Sequence, residues 1–153
     1  MSASARLAEL GIDLPEVVSP VGSYVPALRH GDLVYTSGQL PMLKGTLVAT
    51  GQLGAGVTPE QGAECARVAT LNALAAAAQA CGGVDNIVRV VRVVGYVAST
   101  PDFASQPAVM NAGSNLLTEI FGEDGRHVRS AVGVAALPLG AAVEVELVVA
   151  VRD

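Results

Sequence analysis

The chain has 153 residues, with 9 basic and 14 acidic side chains and a formal charge of −5 at pH 7. It is 51% hydrophobic, 15% charged and 3% aromatic, which is too apolar for a disordered chain and too poor in charge for a coiled coil. A pI near 4.9 and only three Tyr and two Phe argue against a nucleic-acid partner, which asks for surplus Lys and Arg and for stacking rings.

The length suits one domain that buries roughly 70% of its unfolded surface. The opening MSASARLAELGIDLP carries charges where a signal peptide needs an apolar run. No apolar run reaches membrane-spanning length, so the expectation is a cytoplasmic protein that does not enter a membrane. Cys65 and Cys81 fall in one helical pattern, about 24 Å apart along it, too far for a disulfide. Neither has a Cys or His neighbour at ligand spacing, so no zinc-type metal site is expected. Two buried, reduced thiols remain.

In chain order, residues 4–10 form a short leading helix stopped by Gly11 and Pro15, and 11–23 is a turn-rich connector. Tyr24–Arg29 and Leu33–Ser37 are β-prone runs joined by His30-Gly31-Asp32 as a hairpin. A third run, Thr46–Ala49, follows the turn at Lys44-Gly45, and Gly51–Gly56 is a flexible loop. Thr58-Pro59-Glu60-Gln61 then opens a helix with an N-cap, a proline at the first helical position and the glutamine of a capping box. It runs to about Ala80, with Val68, Leu71, Ala75 and Ala78 on one stripe, and ends at Gly82-Gly83.

Ile87–Ala98 reads as a strand apolar on both faces and covered on both sides, with Arg89 on one face and Arg92 on the other. A second helix is expected at 107–121. Strands at 130–136 and 143–152 close the chain. In the last, Val143, Val145, Leu147, Val149 and Val151 make one apolar face, while the other begins with Glu144 and Glu146. The order strands, helix, strand, helix, strands defines an α+β fold, a single sheet with two helices packed on one face. Two helices leave the opposite face uncovered, which points to a homo-oligomer.

No hydrolase triad, phosphate loop or metalloprotease motif is present, so the chemistry rests on polar groups set in apolar strands. Arg129 leads RSAVGVAALPLGAAVEVE. Its planar fork suits a carboxylate, or it forms a structural ion pair with Glu144 or Glu146. Glu144 is either a solvated strand end or a carboxylate that orients water. Tyr24 is either part of the core or rim, or faces a ligand. Ser37-Gly38-Gln39 reads as a turn, His127 as a surface residue and His30 as solvated.

Together these residues resemble the RidA family, also called YjgF/YER057c/UK114. Tyr24 in VGSYVPAL matches its leading tyrosine segment and YTSGQLP at 35–41 its Ser-Gly-Gln-Leu-Pro motif. Asn111 falls in the second helix where the family carries an asparagine, and Arg129 through Leu137-Pro138 to Glu144 and Glu146 matches the closing signature. The resemblance covers about residues 20–152. It divides the chain into an N-terminal extension, 1–19, and a RidA-like domain, 20–153.

The resemblance implies a chorismate-mutase-like fold assembled as a homotrimer whose sheets form an inner barrel, with clefts between subunits. The activity it implies is hydrolytic deamination of reactive 2-imino or enamine acids, left by pyridoxal-phosphate enzymes, to 2-oxo acids and ammonia, without metal or cofactor. By position, Arg129 would clamp the substrate carboxylate and Glu144 hold the attacking water. Tyr24 would wall the pocket from an adjacent subunit, and Ser37, Gly38, Asn111 and the backbone of Ala131 would line the rest. Ala131 stands where the family commonly has cysteine. The stretch from Phe103 to Asn111 is long, and GEDGRHVRS replaces a plainer lead-in to the arginine, which marks a divergent branch resembling the endoribonuclease L-PSP-like proteins. A non-catalytic module binding small carboxylates is the alternative. Ribonuclease action or translation inhibition fits the net charge poorly.

Overall fold

Strand and helix signals in the sequence settle into a five-stranded mixed sheet, two two-stranded sheets and the helices in the computed structural model, which describes residues 1–153. In chain order the elements are α1 (Ala3–Leu10), β1 (Ala27–His30), β2 (Leu33–Thr36), β3 (Met42–Leu43), β4 (Thr46–Leu47), β5 (Gln52–Leu53), β6 (Gly56–Val57), α2 (Pro59–Ala80), β7 (Ile87–Ala98), α3 (Gln106–Phe121), β8 (Val128–Val134) and β9 (Val143–Val151). The main sheet has the order β1-β2-β9-β7-β8, with β7 and β8 parallel and the other neighbours antiparallel. The result is an α+β fold, and no helix is long and apolar enough to cross a membrane.

The alternation of β9 decides the layering. Val143, Val145, Leu147, Val149 and Val151 are buried against the helices, while the residues between them are half-buried on the other face. On β7, Val90, Val93 and Val97 join the same core. Two irregularities in the β7–β9 pairing, between Ile87 and Arg89 and between Val90 and Arg92, reset which residues face in. Only the helix side of β7 is covered in the single chain. Val88 and Arg92 are exposed and Val94 and Tyr96 half-buried, because both helices lie on one face.

α2 begins as its sequence demands. The Thr58 hydroxyl accepts from Gln61 N and the Gln61 side chain accepts from Thr58 N. From Val68 to Ala78 every residue is buried, a wider burial than the stripe expected from the sequence. Alanine side chains let the sheet and α3 come close, and Ile12 and Leu14 of the connector pack against the core. A helix apolar all round needs cover all round.

Several boundaries shift from the sequence reading. The first strand starts at Ala27 rather than Tyr24, and β8 runs two residues earlier than 130–136. Lys44 and Gly45, with φ of 52° and 81°, turn a two-residue hairpin between β3 and β4, which shortens the run expected at 46–49. Residues 51–56 are paired rather than a free loop: they carry β5 and β6, Thr100 N donates to Leu53 O, and Gln52 Nε2 donates to Ala135 O.

Candidate functional site

Glu144 and Arg129 do not meet within one chain. Glu144 lies opposite Tyr96 on β7, and Tyr96 lies opposite Val132 on β8. Arg129 is three residues from Val132, so it projects to the other face, toward α3. Neither residue forms a salt bridge. The ion pair of Arg129 with Glu144 or Glu146 that the sequence left open is therefore absent, because the period-two alternation of strands separates them.

The first group of candidate residues surrounds Glu144. Between β2 and the isolated bridge Gln39–Val145, the pairing with β9 slips by one residue, and the Thr36 hydroxyl takes over by accepting from Leu147 N at 3.0 Å. Ser37-Gly38 is thus a bulge rather than a plain turn. It brings the Gly38 backbone against the Glu144 carboxylate so closely that a Cβ on Gly38 would overlap it. Ser37 itself is turned away, its hydroxyl donating to Val25 O at 2.6 Å.

A pocket of about 60 Å³ opens beside Glu144, lined by Val18, Pro20, Tyr24, Leu40, Met42 and Pro138 among others. Tyr24 is held in the wall by its hydroxyl, which accepts from Val21 N at 3.2 Å. No group in the chain donates to the Glu144 carboxylate. Burial in the first place, and then the charge of Glu146, push its pKa above the usual carboxylate range. Glu146 in turn accepts from the Tyr96 hydroxyl at 2.6 Å, which pushes the phenol up to about 12. Leu139, in the turn that carries Pro138, has the left-handed φ of 60° that leucine seldom adopts.

The second group is built by α3 and β8. Arg129 Nη1 donates to Asn111 Oδ1 at 2.9 Å and to Ser114 Oγ at 3.1 Å, and Nη2 makes a long contact of 3.4 Å with Pro107 O. Both Nη1 hydrogens are engaged and the Nε–H has no partner in the chain. Ala131, two residues on, shares the face of Arg129 and lies opposite Gly95. The sequence-level site residues therefore divide in two: Tyr24, Gly38 and Glu144 on one side, Asn111, Arg129 and Ala131 on the other.

Ser114 escaped the sequence reading, and His127 was placed at the surface. His127 is half-buried rather than a surface residue, with both ring nitrogens in hydrogen bonds. The spacing of Asn111 and Ser114, three apart on a helix and so on one face, was the signal that could have found the serine. Cys65 and Cys81 are buried and free, and burial raises the Cys65 thiol to about 11. No three His, Cys, Asp or Glu side chains converge as metal ligands would.

A five-stranded mixed sheet with two long helices on one face, carrying its polar residues at the start of β9 and the start of β8, defines the YjgF-like class of α+β proteins. Residues 4–151 match the family described as YjgF/chorismate mutase-like, putative endoribonuclease, and the chain belongs to that family. It is 42% identical to protein TCP17 of Trypanosoma cruzi over 98% of this chain and 94% of that one. A Shewanella oneidensis structure described as a putative endoribonuclease superposes with a TM-score of 0.94 at 38% identity, covering 99% of this chain and 100% of the other. The YjgF gene product of E. coli aligns at 27% identity with a TM-score of 0.62, over 90% of this chain and 94% of that one.

Proposed function

We propose that the protein hydrolyses reactive 2-imino acids, or their enamine tautomers, to 2-oxo acids and ammonia, at a site completed by two copies of the chain in a cytoplasmic homotrimer. The observation that carries this reading is the division of the site. Arg129 has a free Nε edge and Glu144 has no internal donor, yet the sheet keeps them apart in one chain. Two incomplete halves on one molecule become whole when a second copy supplies the missing one. Leu28, Tyr35, Val128 and Val132, between 43% and 60% exposed, lie on the face away from the helices and supply the apolar surface for that assembly.

In the joined site Arg129 takes the substrate carboxylate through its free edge, and Asn111 and the Ala131 backbone lie beside it. The carbon of a protonated imine is already electrophilic. Water held by Glu144 adds to it, the water proton passes to the carboxylate, and the C=N π pair moves to nitrogen. Glu144 then returns the proton to nitrogen and the C–N bond breaks with its electrons on departing ammonia. The remaining hydroxyl proton leaves through Glu144 to give the 2-oxo acid. A half-buried carboxylate with no donor of its own in the chain suits this exchange, since it must both take and give a proton. Orientation supplies much of the rate, and no cofactor enters the scheme.

The test couples the purified protein to an amino-acid oxidase that releases 2-imino acids, with semicarbazide trapping what remains. Wild type is expected to speed imine loss and Arg129→Ala to abolish the effect. Arg129→Lys, which keeps the charge but not the fork, is expected to lose at least about tenfold. Tight binding of 2-oxobutanoate without any turnover would instead establish a carboxylate-binding module.

A further inference from the structure

Arg129 is held from behind by hydrogen bonds that run from α3 into the lead-in to β8. Nη1 donates to Ser114 Oγ at 3.1 Å, Ser114 Oγ lies 2.9 Å from His127 Nε2, and His127 Nδ1 lies 2.7 Å from Gly125 O. A carbonyl only accepts, so Nδ1 bears the proton. In the neutral ring Nε2 is then an acceptor, and it takes the Ser114 hydroxyl proton. With that proton committed, the lone pairs of Ser114 are left for Arg129. The far end is anchored in backbone, because Gly125 sits so close to Leu117 and Thr118 of α3 that a Cβ would overlap their main chain.

We propose that Ser114 and His127 are positioning residues that set the plane of the Arg129 guanidinium and turn its Nε edge outward for a planar anion. The proposal rests on the reading of Arg129 as the carboxylate anchor. Without His127 the Ser114 hydroxyl is free to turn back to the helix carbonyl four residues earlier, as serine in helices does. The arginine then regains rotamers whose loss the network otherwise enforces. GEDGRHVRS, the lead-in to the arginine, thereby acquires a role: its 3-10 turn at Gly122–Gly125 presents the carbonyl that orients His127.

The experiment measures 2-oxobutanoate binding to the full-length protein by calorimetry. Ser114→Ala and His127→Leu are each expected to weaken it about tenfold, and the double variant no further, since both break the same relay. His127→Gln, whose amide oxygen can take the hydroxyl proton, is expected to keep most of the affinity. In turnover, KM rises while kcat holds. Unchanged affinity in His127→Leu, or additive losses in the double variant, would overturn the proposal. Nitrogen-15 spectra of the imidazole and of the Arg129 guanidinium decide it without a ligand. The expected result is an Nδ1-protonated ring in the wild type and faster guanidinium rotation in both single variants, and an Nε2-protonated ring would overturn it. If the wild type binds no carboxylate, the anchor reading fails and the relay stands or falls on those spectra.

Discussion

Glu144 reaches its place only because Gly38 has no side chain. Gly38 has no left-handed backbone angle, so an alanine there keeps the backbone and displaces the Glu144 side chain from Cγ outward. Gly38→Ala is therefore expected to melt within about 3 °C of wild type yet lose about a hundredfold in imine turnover, the cost of a misplaced reacting group. A loss of stability with full activity would contradict the geometry. The pH dependence follows from the raised Glu144 pKa. The folded chain holds this proton to higher pH than the unfolded chain does. The contribution is thus complete below the ordinary carboxylate range and fades as pH rises through the raised value. Glu144→Gln, which never ionises, is expected to melt above wild type at pH 7, with the gap closing toward about pH 4 in thermal scans.

α2 organises its neighbours as well as filling the core. Asn72, 1% exposed, donates through Nδ2 to Leu40 O and Met42 O at 3.0 and 2.9 Å, and so ties the wall of the Glu144 pocket to the helix. Asn72→Leu would leave two carbonyls without that donor and is expected to cost about 1–3 kcal/mol in urea titration. An unchanged midpoint would show that the segment holds itself. Legibility differed among the elements for a physical reason. The capping box at Thr58 and Gln61 is a local interaction, and so is the glycine at the hairpin tip, where Gly31 has φ of 63°. Both were readable. The docking of β5 through Leu53 and the bulge at Ser37-Gly38 depend on partners far along the chain, Thr100 and Leu147, and no local pattern marks them.

At the scale of the whole molecule the uncovered sheet face and the divided site lead to the same expectation. Sedimentation is expected to give about 46 kDa, three times the 15.4 kDa chain, and Val132→Lys on the open face is expected to release single chains that bind and turn over poorly. A site shared between copies also predicts complementation. Arg129→Ala and Glu144→Ala chains, each inactive alone, are expected to regain about a quarter of the wild-type activity when unfolded together and refolded at equal concentration. No recovery in verified mixed oligomers would place both residues in one chain's site. By itself the sequence determined the fold class, the two long helices and the alternation of β9, and it singled out Arg129 and Glu144 as candidates, because periodicity, caps and motif residues are written locally. Only the tertiary structure decided that these two residues lie on opposite faces, that Gly38 is the contact of Glu144, and that Ser114 and His127 stand behind Arg129. Those facts depend on strand register and helix docking, which arise from distant pairings rather than from neighbours in the chain.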